Sequence, residues 1–157
     1  MEKHKKELEE NGYTIFRNLL SDEEVNEYKS EFNKWLDEVP DLRKLHSMID
    51  FNGIFKYHEV GNQRFAWLMR TNPKIVNIFK ELWETDELVT SFDGCCYYPK
   101  EYVGEERYWT HTDQSSRKKG VYCYQSFVSL TNNSERTLQI YEAVSYTHLT
   151  LPTTGVV

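Results

Sequence analysis

The sequence is short of cysteine, and what it has is poorly spaced for cross-linking. Cys95 and Cys96 are adjacent and Cys123 stands alone among 157 residues. That set is no disulfide framework, and it sets a reducing, cytoplasmic compartment as the expectation. No apolar run approaches the roughly 20 residues that a membrane-spanning helix needs, so no membrane partner is expected. The opening "MEKHKKELEE" is charged and lacks the apolar stretch of a secretory signal. A basic face is missing as well. The 19 Lys and Arg are scattered among 25 Asp and Glu, for a formal charge of -6, which speaks against nucleic acid as a partner. There is no internal repeat and no low-complexity segment.

What is present suffices for the core of one domain. Hydrophobic residues make up 39% of the chain, and 11 Tyr, 8 Phe and 4 Trp bring the aromatic share to 15%. "EKHKKELEENG" reads as a short helix stopped at Asn11-Gly12, and "YTIFRNLL" starts like a strand. In "SDEEVNEYKSEFNKWLDEVP", Ser21 and Glu24 form a capping-box pattern. Val25, Tyr28, Phe32, Trp35 and Leu36 then fall on one helical face. Residues 41 to 70 mix helix and turn signals, with Gly53 and Gly61 as breaks. "TNPKIVNIFKELW" reads as a helix, with Thr71 or Asn72 as cap, Pro73 at its first position and Ile75, Ile78, Phe79 and Leu82 as an apolar stripe.

After Trp83 the pattern changes. "ELVTSFDGCCYY", "RYWTH", "VYCYQSFVSL" and "TLQIYE" are short, rich in Val, Thr, Tyr and Phe, and separated by turn residues. Helices first and antiparallel strands afterwards predict an α+β chain, with helices packed on a sheet sandwich or barrel.

Inside the second half, "YWTHTDQSSRKKG" holds His111 and Asp113. On a strand, residues i and i+2 share a face, so the two side chains would project together. An imidazole and a carboxylate suit a divalent first-row metal, and a pair of histidines with one carboxylate leaves open positions on Fe(II). A strand-end histidine followed by a turn-forming aspartate fits the same letters.

The surroundings of the pair carry more. "ENGYTIFRNLLSDEEVNEYKSEF", "RTNPKIVNIFKELWETDELVTSFDG" and "THTDQSSRKKGVYCYQSFVSLTNNSERTLQIYE" together resemble the phytanoyl-CoA dioxygenase-like family over residues 11 to 142. The resemblance implies a double-stranded β-helix, the jelly-roll or cupin-like barrel, here truncated with N-terminal helices packed on it. It implies Fe(II) as cofactor, 2-oxoglutarate as co-substrate, molecular oxygen, and hydroxylation of a small molecule or acyl compound with release of succinate and carbon dioxide. It implies that His111 and Asp113 are the first two iron ligands. The family also uses a distal His and an Arg whose fork pairs with the far carboxylate of 2-oxoglutarate.

The only histidine after Asp113 is His148, within "AVSYTHLTLPTT". That string resembles the translation of transposase-adapter DNA used in sequencing-library preparation. The expectation is therefore an incomplete family domain over residues 1–142 and a non-native read-through tail over 143–157, with His148 no ligand. A fragment with two of three ligands is expected to be inactive itself.

Other positions leave two readings each. Trp109 would share the face of His111 and wall the co-substrate site, or pack in the core. Gln125, in the aromatic strand "VYCYQSFVSL", would face the site or solvent. One of Tyr97 and Tyr98 should point inward, and at most one of Cys95 and Cys96 should be buried. Arg117, Lys118 and Lys119 read as a solvated turn before they read as a contact to a substrate anion. His46 and His58 read as surface or loop histidines. Two other functions fit the same sequence: a non-catalytic jelly-roll binding module with a vestigial His-Asp pair, and another cupin-type metalloenzyme richer in histidine ligands.

Overall fold

The computed structural model describes residues 1–39, 53–55, 58–90, 94–98, 111, 114–115, 117–133, 138, 140 and 155–156. The chain divides into two compact units, Leu20–Tyr108 and a second formed by Met1–Leu19 with Trp109–Val157.

The unit from Leu20 to Tyr108 begins with α2 (Asp22–Glu38), which follows α1 (Glu2–Asn11) of the other unit. The capping box closes as its letters predict. Ser21 Oγ accepts from the Glu24 backbone N–H at 3.3 Å, and Glu24 Oε2 accepts from the Ser21 N–H at 2.6 Å. Three acids in the first turn complement the helix dipole. A short ladder follows, β2 (Ile54–Phe55) antiparallel to β3 (Cys95–Cys96). Between them come a 3-10 turn (Val60–Asn62), α3 (Arg64–Arg70) and α4 (Pro73–Trp83).

The core of this unit is Trp35, Leu36, Phe55, Val60, Phe65 and Ala66, with Phe32, Val39, Met69, Cys95 and Tyr97 packed against it. Helix α2 thus buries its predicted face against α3 and the β2–β3 ladder. Four of those six core residues, Phe55, Val60, Phe65 and Ala66, come from the segment whose sequence signals were mixed. Gly53 explains part of the packing. Its φ is +69°, and a Cβ there would lie 2.5 Å from Tyr98 Cε2, so the glycine seats the Tyr98 ring while its carbonyl accepts from the Tyr97 N–H at 2.9 Å. Both tyrosines are half-buried, Cys95 is half-buried and Cys96 is exposed.

Helix α4 is tied to α2 through Asn72. Its Oδ1 caps α4 by accepting from Lys74 N–H at 2.9 Å, and its Nδ2 donates to Tyr28 Oη at 2.8 Å and to Glu24 Oε1 at 2.9 Å. Pro73 sits in the first helical turn as expected, and Ile78 and Leu82 are buried. Glu24 also receives Lys74 Nζ at 2.6 Å. The Lys74 ammonium, the Ser21 N–H and the Asn72 amide hold the Glu24 carboxyl at about 2, below its usual 4.5. A depressed carboxyl contributes stability above its unfolded value and loses it as pH falls through the folded one. The wild-type advantage over Glu24→Gln should therefore shrink on acidification from about pH 4.5 toward about pH 2. Denaturant unfolding of both proteins across that range checks it; a constant difference would show that the contacts do not favour the ionised form.

In the other unit, α1 ends at Gly12, which takes a left-handed conformation (φ 81°) and donates to Leu8 O at 3.0 Å. A three-stranded sheet runs in the order β1 (Tyr13–Thr14), β5 (Gly155–Val156), β4 (Gln125–Ser126), with both pairings parallel. The sequence predicted antiparallel strands closing toward a barrel. Among the described residues the strands form this open sheet and the separate β2–β3 ladder. Each strand is two residues long, so period-2 alternation has no length over which to act. Of "RYWTH" only His111 is described, and most of "TLQIYE" lies outside the described residues. No helix among the described residues is long and apolar enough to cross a membrane.

Candidate metal centre and the turn beside it

His111 is described and its side chain is exposed. Asp113 and Trp109 lie outside the described residues, as does His46. Gln125 is exposed on β4, where it pairs with Gly155. His58 is exposed, as its reading as a loop histidine expects, and has a left-handed backbone (φ 52°). Among the described residues no three His, Cys, Asp or Glu side chains converge as a metal group would require.

The turn that follows the His-x-Asp pair is built around a residue the sequence did not single out. Gln114 is 6% exposed. Its Nε2 donates to Gly120 O at 2.7 Å and to Lys118 O at 3.3 Å, and its Oε1 accepts from Tyr122 N–H at 3.0 Å. Three of the four hydrogen bonds that one buried amide can make are spent on closing its own loop. The Ser115 carbonyl accepts from Lys118 N–H at 2.9 Å, and Gly120 takes the positive φ (88°) that brings the chain back. Arg117, Lys118 and Lys119 are exposed, and Lys118 Nζ lies 5.1 Å from the Tyr122 ring centroid. That is the solvated basic turn of the first reading, steadied by one cation–π contact.

A cleft of about 380 Å³ opens in the same unit between α1 and β1, lined by Lys3, His4, Glu7, Tyr13, Thr14 and Arg17 among others. His4 Nδ1 lies 2.7 Å from Thr14 Oγ1, and the Thr14 hydroxyl donates to Glu7. That hydroxyl, with Lys3 and His4 nearby, lowers the Glu7 pKa against a smaller desolvation effect. The His4 ring also stacks on Phe16 at 3.9 Å. These contacts fasten α1 to β1, and only the spacing of a polar helix face against a strand threonine could have signalled them.

The profile of the phytanoyl-CoA dioxygenase (PhyH) family matches residues 8–130. The chain belongs to the phytanoyl-CoA dioxygenase family. The matched span contains His111, Asp113, Gln114 and Gln125. Membership implies a cupin-like fold and an oxygenase-like protein at the level of the family. A curated relative, "Ava biosynthesis cluster protein O" of Aspergillus versicolor, is 31% identical over 137 residues, covering 81% of this chain and 44% of the relative. The chain therefore spans less than half the length of that relative. No solved structure matches.

Proposed function

We propose that the chain is part of an Fe(II)- and 2-oxoglutarate-dependent dioxygenase that hydroxylates a small molecule, with His111 and Asp113 as two protein ligands. The observation that carries this reading is that the family match runs through both residues. The donor chemistry fits: one imidazole and one carboxylate, two positions apart, are ligand types that Fe(II) accepts. His111 is exposed at the surface of its unit. When bound, Fe(II) supplies the oxygen chemistry that couples breakdown of 2-oxoglutarate to hydroxylation.

The protein's own part is to bind, orient and shield. His111 offers a ring nitrogen, and Asp113 offers carboxylate oxygen and negative charge. Trp109 would wall the co-substrate, and Gln125 would give it a hydrogen bond. The relative's name places that protein in a biosynthesis cluster, which supports a small-molecule substrate here. The relative's short coverage supports reading residues 1–142 as an incomplete domain; the reading of 143–157 as a read-through tail rests on its letters alone, and Gly155–Val156 pair with β1 and β4.

The test is a titration of the 157-residue chain with Mn(II), followed by electron paramagnetic resonance. Weak binding is expected, because the proposed site names two protein ligands only, and it should vanish in His111→Ala. Tight stoichiometric binding untouched by that substitution would place the metal elsewhere.

A further inference from the structure

We infer that Gln114 is a positioning residue for the metal pair, an inference that rests on the function proposed above and names the device that holds it. Gln114 follows Asp113 directly, and consecutive Cα atoms are about 3.8 Å apart. Whatever fixes Gln114 therefore fixes the backbone atoms to which Asp113 is covalently joined. What fixes it is its own side chain, which is buried and bonded to Lys118 O, Gly120 O and Tyr122 N–H on the returning arm of the turn. Three residues beyond Tyr122 that arm becomes β4 at Gln125. One amide thus ties the segment that would hold the metal to the strand that would hold the co-substrate.

The chemistry of the amide makes the role specific. Two carbonyls need a donor and one N–H needs an acceptor, and glutamine supplies both from a single planar group. Leucine fills similar space and supplies neither, leaving Tyr122 N–H and Gly120 C=O without their partner. Glutamate keeps the acceptor for Tyr122 but turns an ionised oxygen toward two carbonyls. Gln114 itself touches no metal in this role. Its effect passes through the backbone, as outer-shell partners orient metal ligands elsewhere.

The experiment uses the complete protein, extended to the length of its family. Mn(II) affinity is measured by electron paramagnetic resonance, and exchange of the Tyr122 amide proton by nuclear magnetic resonance, in wild type, Gln114→Leu, Gln114→Glu and His111→Ala. Gln114→Leu should weaken Mn(II) by about 10–100-fold and speed exchange at Tyr122, with the helical circular dichroism unchanged. If Gln114→Leu fails to fold, Gln114→Glu carries the same expectation. Faster exchange and a lower melting temperature with Mn(II) affinity within about twofold of wild type would make Gln114 a structural residue only and overturn the inference. If His111→Ala keeps wild-type affinity, the metal reading falls instead, and the inference with it.

Discussion

Replacing Trp35 with alanine should cost the Leu20–Tyr108 unit about 3–5 kcal/mol, the range for truncating a buried tryptophan. Trp35 is 3% exposed at the centre of the core. Its ring meets Phe55 edge-on at 5.3 Å and 87°, and lies 5.7 Å from Phe65 and 5.8 Å from Phe32. These rings are themselves held from α2, α3 and β2, which limits how far they can collapse into the space. A second loss adds to the cavity. The indole Nε1–H donates to His58 O at 3.1 Å, where His58 and Glu59 both adopt left-handed backbone conformations at φ 52° and 55°. Such conformations cost non-glycine residues free energy and persist where surroundings hold them. Trp35 is one of the groups that hold them. Trp35→Phe keeps a ring and removes the donor, so it should cost less, with about 1 kcal/mol of the loss belonging to the hydrogen bond. Urea unfolding followed by circular dichroism checks both. A Trp35→Ala loss near or below 1 kcal/mol would mean that the aromatic cluster does not close around this ring.

The helices were legible because their signals are local. Ser21 with Glu24, Asn72 with Pro73, and Asn11 with Gly12 each sit within one turn of the boundary they set, and the structure places those boundaries at Asp22, Pro73 and Asn11. The core was legible only on the α2 side. Trp35 and Leu36 announce themselves by helical period, whereas Phe55 and Val60 lie in a two-residue strand and a 3-10 turn, where no period exists. Only their tertiary neighbours make them core. Gly53 was read as a break, yet its work is to admit the Tyr98 ring, a contact with a residue 45 positions later that no local pattern announces.

The candidate site divides in the same way. His111 and Asp113 are visible as a motif, and they fall inside the span that the family profile matches. Gln114 was passed over because a glutamine beside serines and basic residues reads as solvated loop. Its burial follows from carbonyls on the far side of the turn, and side-chain to backbone bonds of that reach leave no compositional trace. The antiparallel strands were expected from residue types and the turns between them, and the barrel from the family resemblance. Residue type records how well a side chain suits a pleated surface and says nothing of which strand pairs with which.

The largest effect should be on catalysis. The complete protein should form succinate from 2-oxoglutarate in the presence of oxygen and Fe(II), and His111→Ala or Asp113→Ala should lower that rate by more than about 100-fold, beyond the loss expected from outer-shell positions. Either substitution removes one of the two protein donors that the proposal names. Asp113→Ala also removes the negative charge that offsets the metal's, so its effect should persist when Fe(II) is raised well above the level that saturates wild type. The 157-residue chain should form no succinate above background. Activity needs ligands that hold the ion with open positions and a cation that orients the co-substrate, and the proposed site names two ligands and no such cation. A succinate assay on the complete protein, its two variants, the 157-residue chain and that chain with His148→Ala separates the alternatives. Turnover by the 157-residue chain, abolished by His148→Ala, would make His148 the third ligand and residues 143–154 native sequence. Full activity in the complete protein after loss of either His111 or Asp113 would remove the metal pair from the mechanism.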